Sequence, residues 1–270
     1  MKLFNTKLNK LFDSNCVIKV IAGINNSNIS QIVKIAKAAE MSKGTYIDII
    51  ANPGVVKVIK SISSIPICVS SINPIDLYNC VLAGADLVEI GNFDTFYSKG
   101  IYLSRTKILQ LAQEVKFLVP YVDVCVTIPY HLSLNDQVNL AQDLESLGIS
   151  ILQTEGLSTK NKLDMLSLYK DIICDSISKS SFSFLSTYII SQKVTIPVIA
   201  SSSIKSLSSS VAIFYGASGI GIGSSINKKN DLFDMCTYID EVHHSLSFRN
   251  SSYLIHQNLH SSMSLYSFFL

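Results

Sequence analysis

The sequence has few charged residues, and their signs nearly balance. Asp, Glu, Lys and Arg make up only 16% of the 270 residues, and the formal net charge is +2 at pH 7. Soluble chains usually carry about 25% of these residues. No basic stripe with interleaved aromatic residues is present. We therefore expect no nucleic acid among the partners of this chain.

The sequence also lacks long apolar segments. No run reaches the ~18 residues that span a bilayer, so we expect no transmembrane helix and no membrane partner. The first residues, Met1 to Lys7, contain no long apolar core of the kind that a secretory signal needs. These absences predict a soluble chain that stays in the compartment where it is made.

Closely spaced cysteine pairs are absent too. The six cysteines are at positions 16, 68, 80, 125, 174 and 236, and no CxxC pair occurs. Several lie in apolar runs, where cysteine behaves as a small hydrophobic residue. We expect buried free thiols in a reducing compartment; a disulfide framework is the alternative. No motif for a metal site is found, and the sequence identifies no cofactor.

Eight short apolar runs alternate with longer amphipathic stretches, for example the helical patterns at Ile29–Met41 and Pro53–Ile62. The predicted strands are 17–22, 46–51, 67–70, 87–91, 122–128, 149–154, 197–200 and 219–222. Runs that are apolar throughout indicate parallel strands covered on both faces. A doubly wound sheet would place a glycine-rich turn after strand one, where only Gly23 follows.

We therefore predict an α/β fold, a (β/α)₈ TIM barrel with parallel strands that forms a single domain over residues 1–270. Its core covers about 15–245, and the Ser-rich extension 246–270 is either packed or loose. A length of ~250 residues is typical of such barrels. The sequence is compatible with an oligomer.

The glycine-rich turn follows strand eight instead. In barrels, the loops after the seventh and eighth strands frequently bind phosphate, and glycine lets an anion approach main-chain amides. Ser-rich sequence follows strand seven. The alternative is that these glycines only permit tight packing. The predicted phosphate-binding residues are Ser201, Ser202, Ser203, Gly221, Gly223, Ser224 and Ser225.

Three predicted strands carry one charged residue between apolar neighbours: Lys19, Asp48 and Glu89. Because the outer face of each strand must meet helices, these side chains are expected inside the barrel. A buried ion is costly without a partner, so Lys19 should pair with Asp48 or Glu89. We predict that these residues and Glu155 are catalytic; a structural ion-pair network is the alternative.

Further candidates follow other strands at the face where barrel enzymes keep their chemistry. They are Asn52, Asn92, Asp94 and His131. For His131 an ordinary loop histidine is an equal alternative.

Several segments together resemble the family of the hypothetical chloroplast reading-frame protein twenty-three, found in algal plastids and cyanobacteria. They are residues 19–26, 66–70, 89–94, 153–156 and 221–227. The resemblance implies a barrel related to phosphate-binding enzymes such as thiazole synthase and ribulose-phosphate epimerase, and a plastid location, but no particular reaction. It also implies glycine where this chain has Ser203, whose side chain would crowd a phosphate.

These observations favour an enzyme of the plastid stroma, a lyase, isomerase or synthase, that acts on a small phosphorylated molecule. The alternative is a non-catalytic barrel that binds a phosphorylated metabolite and regulates a partner. A third possibility is an interaction protein with a vestigial site.

Overall fold

The computed structural model describes residues 3–91, 93–97, 99–156 and 172–246, with side chains throughout except at 94, 95 and 172–179. Eight parallel strands close into one barrel, in which each strand pairs with the next and β8 pairs with β1. The strands are β1 (Val17–Gly23), β2 (Tyr46–Ile50), β3 (Ile67–Ser70), β4 (Leu87–Ile90), β5 (Asp123–Ile128), β6 (Ile151–Thr154), β7 (Val198–Ala200) and β8 (Gly219–Ile222). The predicted (β/α)₈ TIM barrel is confirmed.

Strand side chains alternate between the barrel interior and the surrounding helices. In β1, Ile18 and Val20 pack with buried apolar residues of the helical layer, whereas Val17 belongs to a separate cluster inside the barrel. Both faces are therefore covered, which explains the continuous apolar runs of the sequence.

Helices surround this sheet. They are α1 (Thr6–Asp13), α2 (Ile29–Met41), α3 (Pro53–Ile62), α4 (Pro74–Leu82), α5 (Asp94–Tyr97), α6 (Arg105–Leu118), α7 (Leu134–Ser146), α8 (Ile172–Ser191), α9 (Ser206–Phe214), α10 (Ser224–Asn227) and α11 (232–246). Helices α2 and α3 have the predicted bounds. Their N-cap residues, Asn28 and Asn52, accept hydrogen bonds from first-turn amides, which satisfies donors that have no acceptor within the helix.

Helix α1, which the sequence patterns did not predict, closes the bottom of the barrel at the amino ends of the strands. The amides of Phe4 and Asn5 donate to the two carboxylate oxygens of Asp123 at 3.0 and 2.9 Å. The apolar cluster there consists of Leu3, Leu8, Phe12, Val17, Tyr46, Cys68, Leu87, Cys125, Ile151 and Ile199. The plugged bottom leaves the opposite mouth, at the carboxyl ends of the strands, for a ligand.

Two expectations from composition can be compared with the described residues. Cys68, Cys80 and Cys125 are buried thiols, as expected, whereas Cys16 and Cys236 are only half-buried. Burial raises the pKa of Cys80 to about 12. The side chain of Cys174 lies outside the described residues. None of the helices in the described ranges has the length and apolarity to cross a bilayer.

Candidate functional site

A cavity of about 510 Å³ opens at the carboxyl ends of the strands, above β1, β6, β7 and β8. This size falls within the range of ~300–1,000 Å³ that is usual for small-molecule sites. Its lining residues are Ile21, Ala22, Gly23, Ile24, Asn25, Asn26, Gln31, Gln153, Glu155, Ser201, Ser202, Ser203, Ile204, Gly221, Gly223, Ser224 and Asn227. The cavity joins the two loops that the sequence predicted to bind phosphate.

The loop after β7 has an unusual backbone. Ser202 and Ser203 have positive φ values of 71° and 61°, in the left-handed region that favours glycine. The loop is held by hydrogen bonds that include those from the Ser201 amide to Thr154 O at 3.1 Å and from the Ser180 hydroxyl to Ser203 O at 3.0 Å. Left-handed non-glycine residues cluster at functional sites, and this pair borders the cavity.

The loop after β8 is fixed to the end of β1. The Asn227 side-chain amide donates to Ile21 O at 2.9 Å and to Gly223 O at 3.0 Å. The amides of Ile226 and Asn227 also donate to Gly223 O. The amides of Ser224 and Ser225 come first in α10, where the helix provides no acceptor for them.

The glycines of β8 point into the barrel and serve two purposes. A Cβ at Gly219 would lie 2.6 Å from Val17 Cβ, and one at Gly221 would lie 2.9 Å from Ser201 Oγ. At Gly223 the nearest atom would be Ile21 Cβ at 3.4 Å, an ordinary contact. Close packing therefore explains Gly219 and Gly221, whereas Gly223 has room beside the cavity.

Glu155 brings a carboxyl group to the cavity wall, although its side chain is only 5% exposed. Its Oε1 accepts hydrogen bonds from the Tyr97 hydroxyl and, at 3.1 Å, from the Tyr130 amide. Tyr97 packs edge-on against Tyr130 and His131. The two hydrogen-bond donors and the packed aromatic rings together restrict the position of the Glu155 carboxyl group.

Lys19, Asp48 and Glu89 meet beneath the cavity, inside the barrel, and each is at most 1% exposed. Lys19 Nζ lies 3.1 Å from Asp48 Oδ2 and also forms an ion pair with Glu89 Oε2. Lys19 therefore pairs with both carboxylates. We call Lys19, Asp48 and Glu89 the ion cluster.

Neighbouring strands complete the bonding of the ion cluster. Ser70 donates to Asp48 at 2.5 Å, and Thr127 donates to Glu89 at 2.8 Å. The side-chain oxygen of Gln153 accepts from Lys19 at 2.9 Å, and its amide nitrogen donates to Glu89 at 3.0 Å. Because Gln153 also lines the cavity, it is the floor that separates the cavity from the ion cluster.

The ion cluster holds protons tightly. Burial alone would lower the pKa of Lys19, but the charges of Asp48 and Glu89 outweigh it and raise that pKa well above 10.5. Burial raises the pKa of Glu89 above 4.5 against the opposing charge of Lys19. Both directions follow from two carboxyl groups sharing one ammonium out of contact with water. A nucleophilic amine must be neutral, so an imine at Lys19 would require deprotonation and an opened floor.

Within the part of the chain that the structure describes, one group of residues could bind a metal ion. Asp48, Cys68 and Glu89 place one ligand atom each within 4.8 Å of the others. Lys19 already neutralises the two carboxylates, however, and a cation would have to compete with it. Burial also raises the pKa of Cys68, and thus favours the thiol over the thiolate that binds metals.

The predicted site residues thus occupy three positions. The cavity lining includes Glu155, Ser201, Ser202, Ser203, Gly221, Gly223 and Ser224, whereas Lys19, Asp48 and Glu89 lie beneath it and Ser225 is outside the lining. Their roles in binding and catalysis remain predictions.

The further candidates have other positions. Asn52 caps α3, and His131 Nε2 lies 3.1 Å from Leu103 O. Asn92 and the side chain of Asp94 lie outside the described residues.

Sequence reasoning missed the amide wall of the cavity. Asn25, Asn26 and Gln31 line the side next to β1, and the Asn26 amide donates to Ala22 O at 3.2 Å. The available signal was the Asn pair directly after a buried strand, where barrel sites are built.

Comparisons with known proteins decide the family. Residues 3–252 match a family model described as a protein of unknown function, DUF561. The chain belongs to the DUF561 family. Relatives of this DUF561 member include the uncharacterized protein ycf23 of Antithamnion sp., 54% identical over 92% of this chain and 90% of that protein. The ycf23 protein of Porphyra purpurea is 42% identical over 96% and 94%. The resemblance noted from the sequence is confirmed.

Solved structures share the fold of the DUF561 chain at low sequence identity. A geranylgeranylglyceryl phosphate synthase from Thermoplasma acidophilum, in complex with sn-glycerol-1-phosphate, aligns with a TM-score of 0.61 at 12% identity, over 91% of this chain and 98% of that one. A 3-hexulose-6-phosphate synthase aligns with a TM-score of 0.59 at 14% identity, over 85% and 99%. These likenesses show the barrel fold.

Proposed function

We propose that this chain is a plastid enzyme that binds a small phosphorylated metabolite and acts on it as a lyase, isomerase or synthase. One observation carries the proposal: a single cavity joins the loops after β7 and β8 to the buried carboxyl group of Glu155. Such a cavity can hold a phosphate at one wall and present a reacting carbon to an acid or base at another.

Main-chain amides and hydroxyl groups would bind the phosphate. Ser202, Ser203 and Ser224 line the cavity at the two loops and carry both hydroxyl and main-chain amide groups. Hydrogen bonds to a charged group contribute about 1.5–3 kcal/mol each, so several together hold a dianion without a cationic side chain. The fold supports this placement, because barrels frequently bind phosphate at these loops. Names of fold neighbours, such as 3-hexulose-6-phosphate synthase, also refer to phosphorylated molecules.

Within this proposal Glu155 transfers protons, because it is the predicted catalytic residue that lines the cavity. Lys19, Asp48 and Glu89 act from beneath. Lys19 and Glu89 hold the side chain of Gln153, and the three charges together set the electrostatic potential at the floor. The plastid location rests on the ycf23 relatives from algae.

A ligand-detected NMR screen of phosphorylated metabolites tests the proposal, with ³¹P spectra to follow turnover. We expect at least one phosphate ester to bind and be converted. Gly223→Asp places a negative charge where a Cβ is tolerated, and it should abolish binding. Ser61→Asp, on the exposed surface of α3, is the matched control and should bind normally.

Turnover distinguishes the enzyme from the non-catalytic alternative. A ligand that binds at the cavity and is released unchanged, across the whole screen, would indicate a regulatory barrel. Binding that survives Gly223→Asp would contradict the placement of the phosphate.

A further inference from the structure

The turn after β8 is attached to β1 by a side chain. Main-chain pairing between these two strands ends at Val20 and Ile222, but β1 continues to Gly23. Its register with β2 also shifts between Ile21 and Gly23, so the ladder is irregular at this end. Ile21 O lies beyond the last β1–β8 pair, and it accepts a hydrogen bond from Asn227 Nδ2 at 2.9 Å in place of one from a main-chain amide.

The same side chain holds a carbonyl group of the turn itself. Asn227 Nδ2 donates to Gly223 O at 3.0 Å, and the amides of Ile226 and Asn227 donate to that oxygen as well. Gly223 O and the Ser224 amide belong to one trans peptide unit, in which the carbonyl and the amide point in opposite directions. Because Gly223 O is held within the turn, the Ser224 amide is directed out of it, and Ser224 is part of the cavity lining.

The side chain of Asn227 has no donor left for a ligand. A side-chain amide carries two N–H groups, and in Asn227 these bond Ile21 O and Gly223 O. The other polar atom, Oδ1, is an acceptor and cannot bond a phosphate dianion, which is an acceptor itself. Asn227 lines the cavity, yet any contribution to phosphate binding would come through the main chain that it positions.

Packing supports the same attachment. A Cβ at Gly223 would lie 3.4 Å from Ile21 Cβ, an ordinary contact, so the turn packs directly against the end of β1. From α2, Gln31 Nε2 lies 3.4 Å from Asn227 O, which is longer than the usual range of ~2.7–3.2 Å. The shorter bonds of the Asn227 side chain should therefore fix the turn more firmly than Gln31 does.

We infer that Asn227 is a positioning residue for phosphate binding, which attaches the turn after β8 to β1 and so directs the Ser224 amide at a ligand in the cavity. The inference rests on the proposed phosphate site and identifies a residue that this site needs but that does not touch the phosphate. Without the side chain, the turn would keep its main-chain bonds to Gly223 O and lose its connection to Ile21 O. The Ser224 amide would then lose its fixed distance from the loop after β7.

Amide-resolved NMR with inorganic phosphate tests the inference, because it reports the affinity and the responding amides together. Asn227→Leu keeps a side chain of similar volume and removes both hydrogen bonds. We expect about tenfold weaker binding, which corresponds to the loss of one hydrogen bond to a charged group. At saturation, the shifts at the Ser202 and Ser203 amides should remain, whereas the shift at the Ser224 amide should be strongly reduced.

Asn227→Ser separates the two hydrogen bonds of the side chain. A serine hydroxyl in a helix can donate to the carbonyl four residues earlier, which here is Gly223 O. Its single hydrogen cannot bond Ile21 O as well. We expect Asn227→Ser to bind phosphate as weakly as Asn227→Leu. As the smaller change, it is also the variant to use if the leucine variant does not fold.

Asn73→Ala is the matched control for a loss of stability alone. Asn73 is exposed, caps α4 by accepting from the Ile75 amide at 3.1 Å, and lies outside the cavity lining. Removing an N-cap destabilises a helix, so Asn73→Ala should lower the urea midpoint and keep the wild-type affinity for phosphate.

The outcomes separate this inference from the proposed function. Absence of phosphate binding in the wild type would overturn the proposed phosphate site, and the inference with it. Affinities of the wild type and Asn227→Leu that agree within about threefold would overturn the inference and leave the phosphate site intact. Equal weakening in Asn227→Leu and Asn73→Ala, wild-type affinity in Asn227→Ser, or an undiminished Ser224 shift in Asn227→Leu would each overturn the inference as well.

Discussion

The ion cluster and the cavity above it lie in one barrel but hold charge in opposite ways. Beneath the floor, Lys19, Asp48 and Glu89 are fully buried and bonded to one another. Above the floor, the described lining combines amides, hydroxyls and main chain with the apolar side chains of Ile21, Ile24 and Ile204, and Glu155 is its one residue with an ionisable side chain. In this barrel the most charged part of the interior satisfies its own charges, while the described part of the lining that is open to ligands carries almost none.

The largest effect should come from breaking the ion cluster. Lys19→Met leaves two buried carboxyl groups without their cation, which typically costs about 3–5 kcal/mol. Lys60→Met is the control, because Lys60 forms a half-exposed ion pair with Asp86, which should contribute at most about 1 kcal/mol. Urea unfolding followed by circular dichroism measures both. Equal losses in the two variants would show that the ion cluster is not a tightly paired unit.

The second-largest loss of stability should come from adding a methyl group at Gly91. A Cβ there would overlap the Glu89 carboxyl group and the Thr127 hydroxyl, so Gly91→Ala should cost about 1–3 kcal/mol through forced displacement. Gly223→Ala, beside the cavity, meets only ordinary contacts and should change stability by no more than about 0.5 kcal/mol. Urea unfolding measures the stability of both variants. If Gly91→Ala is as stable as the wild type, the packing around Glu89 is loose.

The pH dependence of stability should separate the two regions further. Because the pKa of Glu89 is raised in the folded state, its contribution to stability is full below pH 4.5 and is lost as the pH rises towards the raised value. One proton contributes a slope of at most about 1.4 kcal/mol per pH unit. Glu89→Gln should remove this part of the slope, whereas the surface variant Glu114→Gln should keep it. Parallel curves for wild type and Glu89→Gln, in unfolding series at several pH values, would contradict the raised pKa.

The smallest effect concerns two tyrosine hydroxyls. Among the described residues, the buried hydroxyl of Tyr46, in the cluster at the bottom of the barrel, has no hydrogen-bond partner. Tyr46→Phe should therefore be neutral or stabilising by less than about 1 kcal/mol. Tyr97→Phe removes a donor to Glu155 and should destabilise by about 0.5–1.5 kcal/mol. Thermal denaturation measures the stability of both variants. A clear loss of stability in Tyr46→Phe would contradict the absence of a hydrogen-bond partner for the Tyr46 hydroxyl.

The sequence predicted the barrel and the inward direction of its charges, because a period of two specifies which face of a strand a side chain occupies. It could not predict how far below the open mouth of the barrel these side chains lie. Lys19 and Glu89 lie below Gln153 because tilted strands are staggered against one another. The sequence of one strand does not contain this stagger. The sequence therefore predicted enclosed and paired charges but not their depth, and the structure places them beneath the cavity.

Local signals that went unused explain other gaps. In α1, the i, i+3, i+4 spacing of Leu8, Leu11 and Phe12 behind the N-cap Asn5 was a readable helix signal. The left-handed backbone of Ser202 and Ser203 had no such signal, because serine does not indicate a positive φ.

The central claim is that the loops after β7 and β8 bind a phosphate dianion through main-chain amides and hydroxyls. Amide-resolved NMR during a titration with inorganic phosphate tests it most directly. We predict saturable shifts concentrated at the amides of 202–203 and 224–225. Shifts confined to other surfaces, or none at all at millimolar phosphate, would contradict the claim.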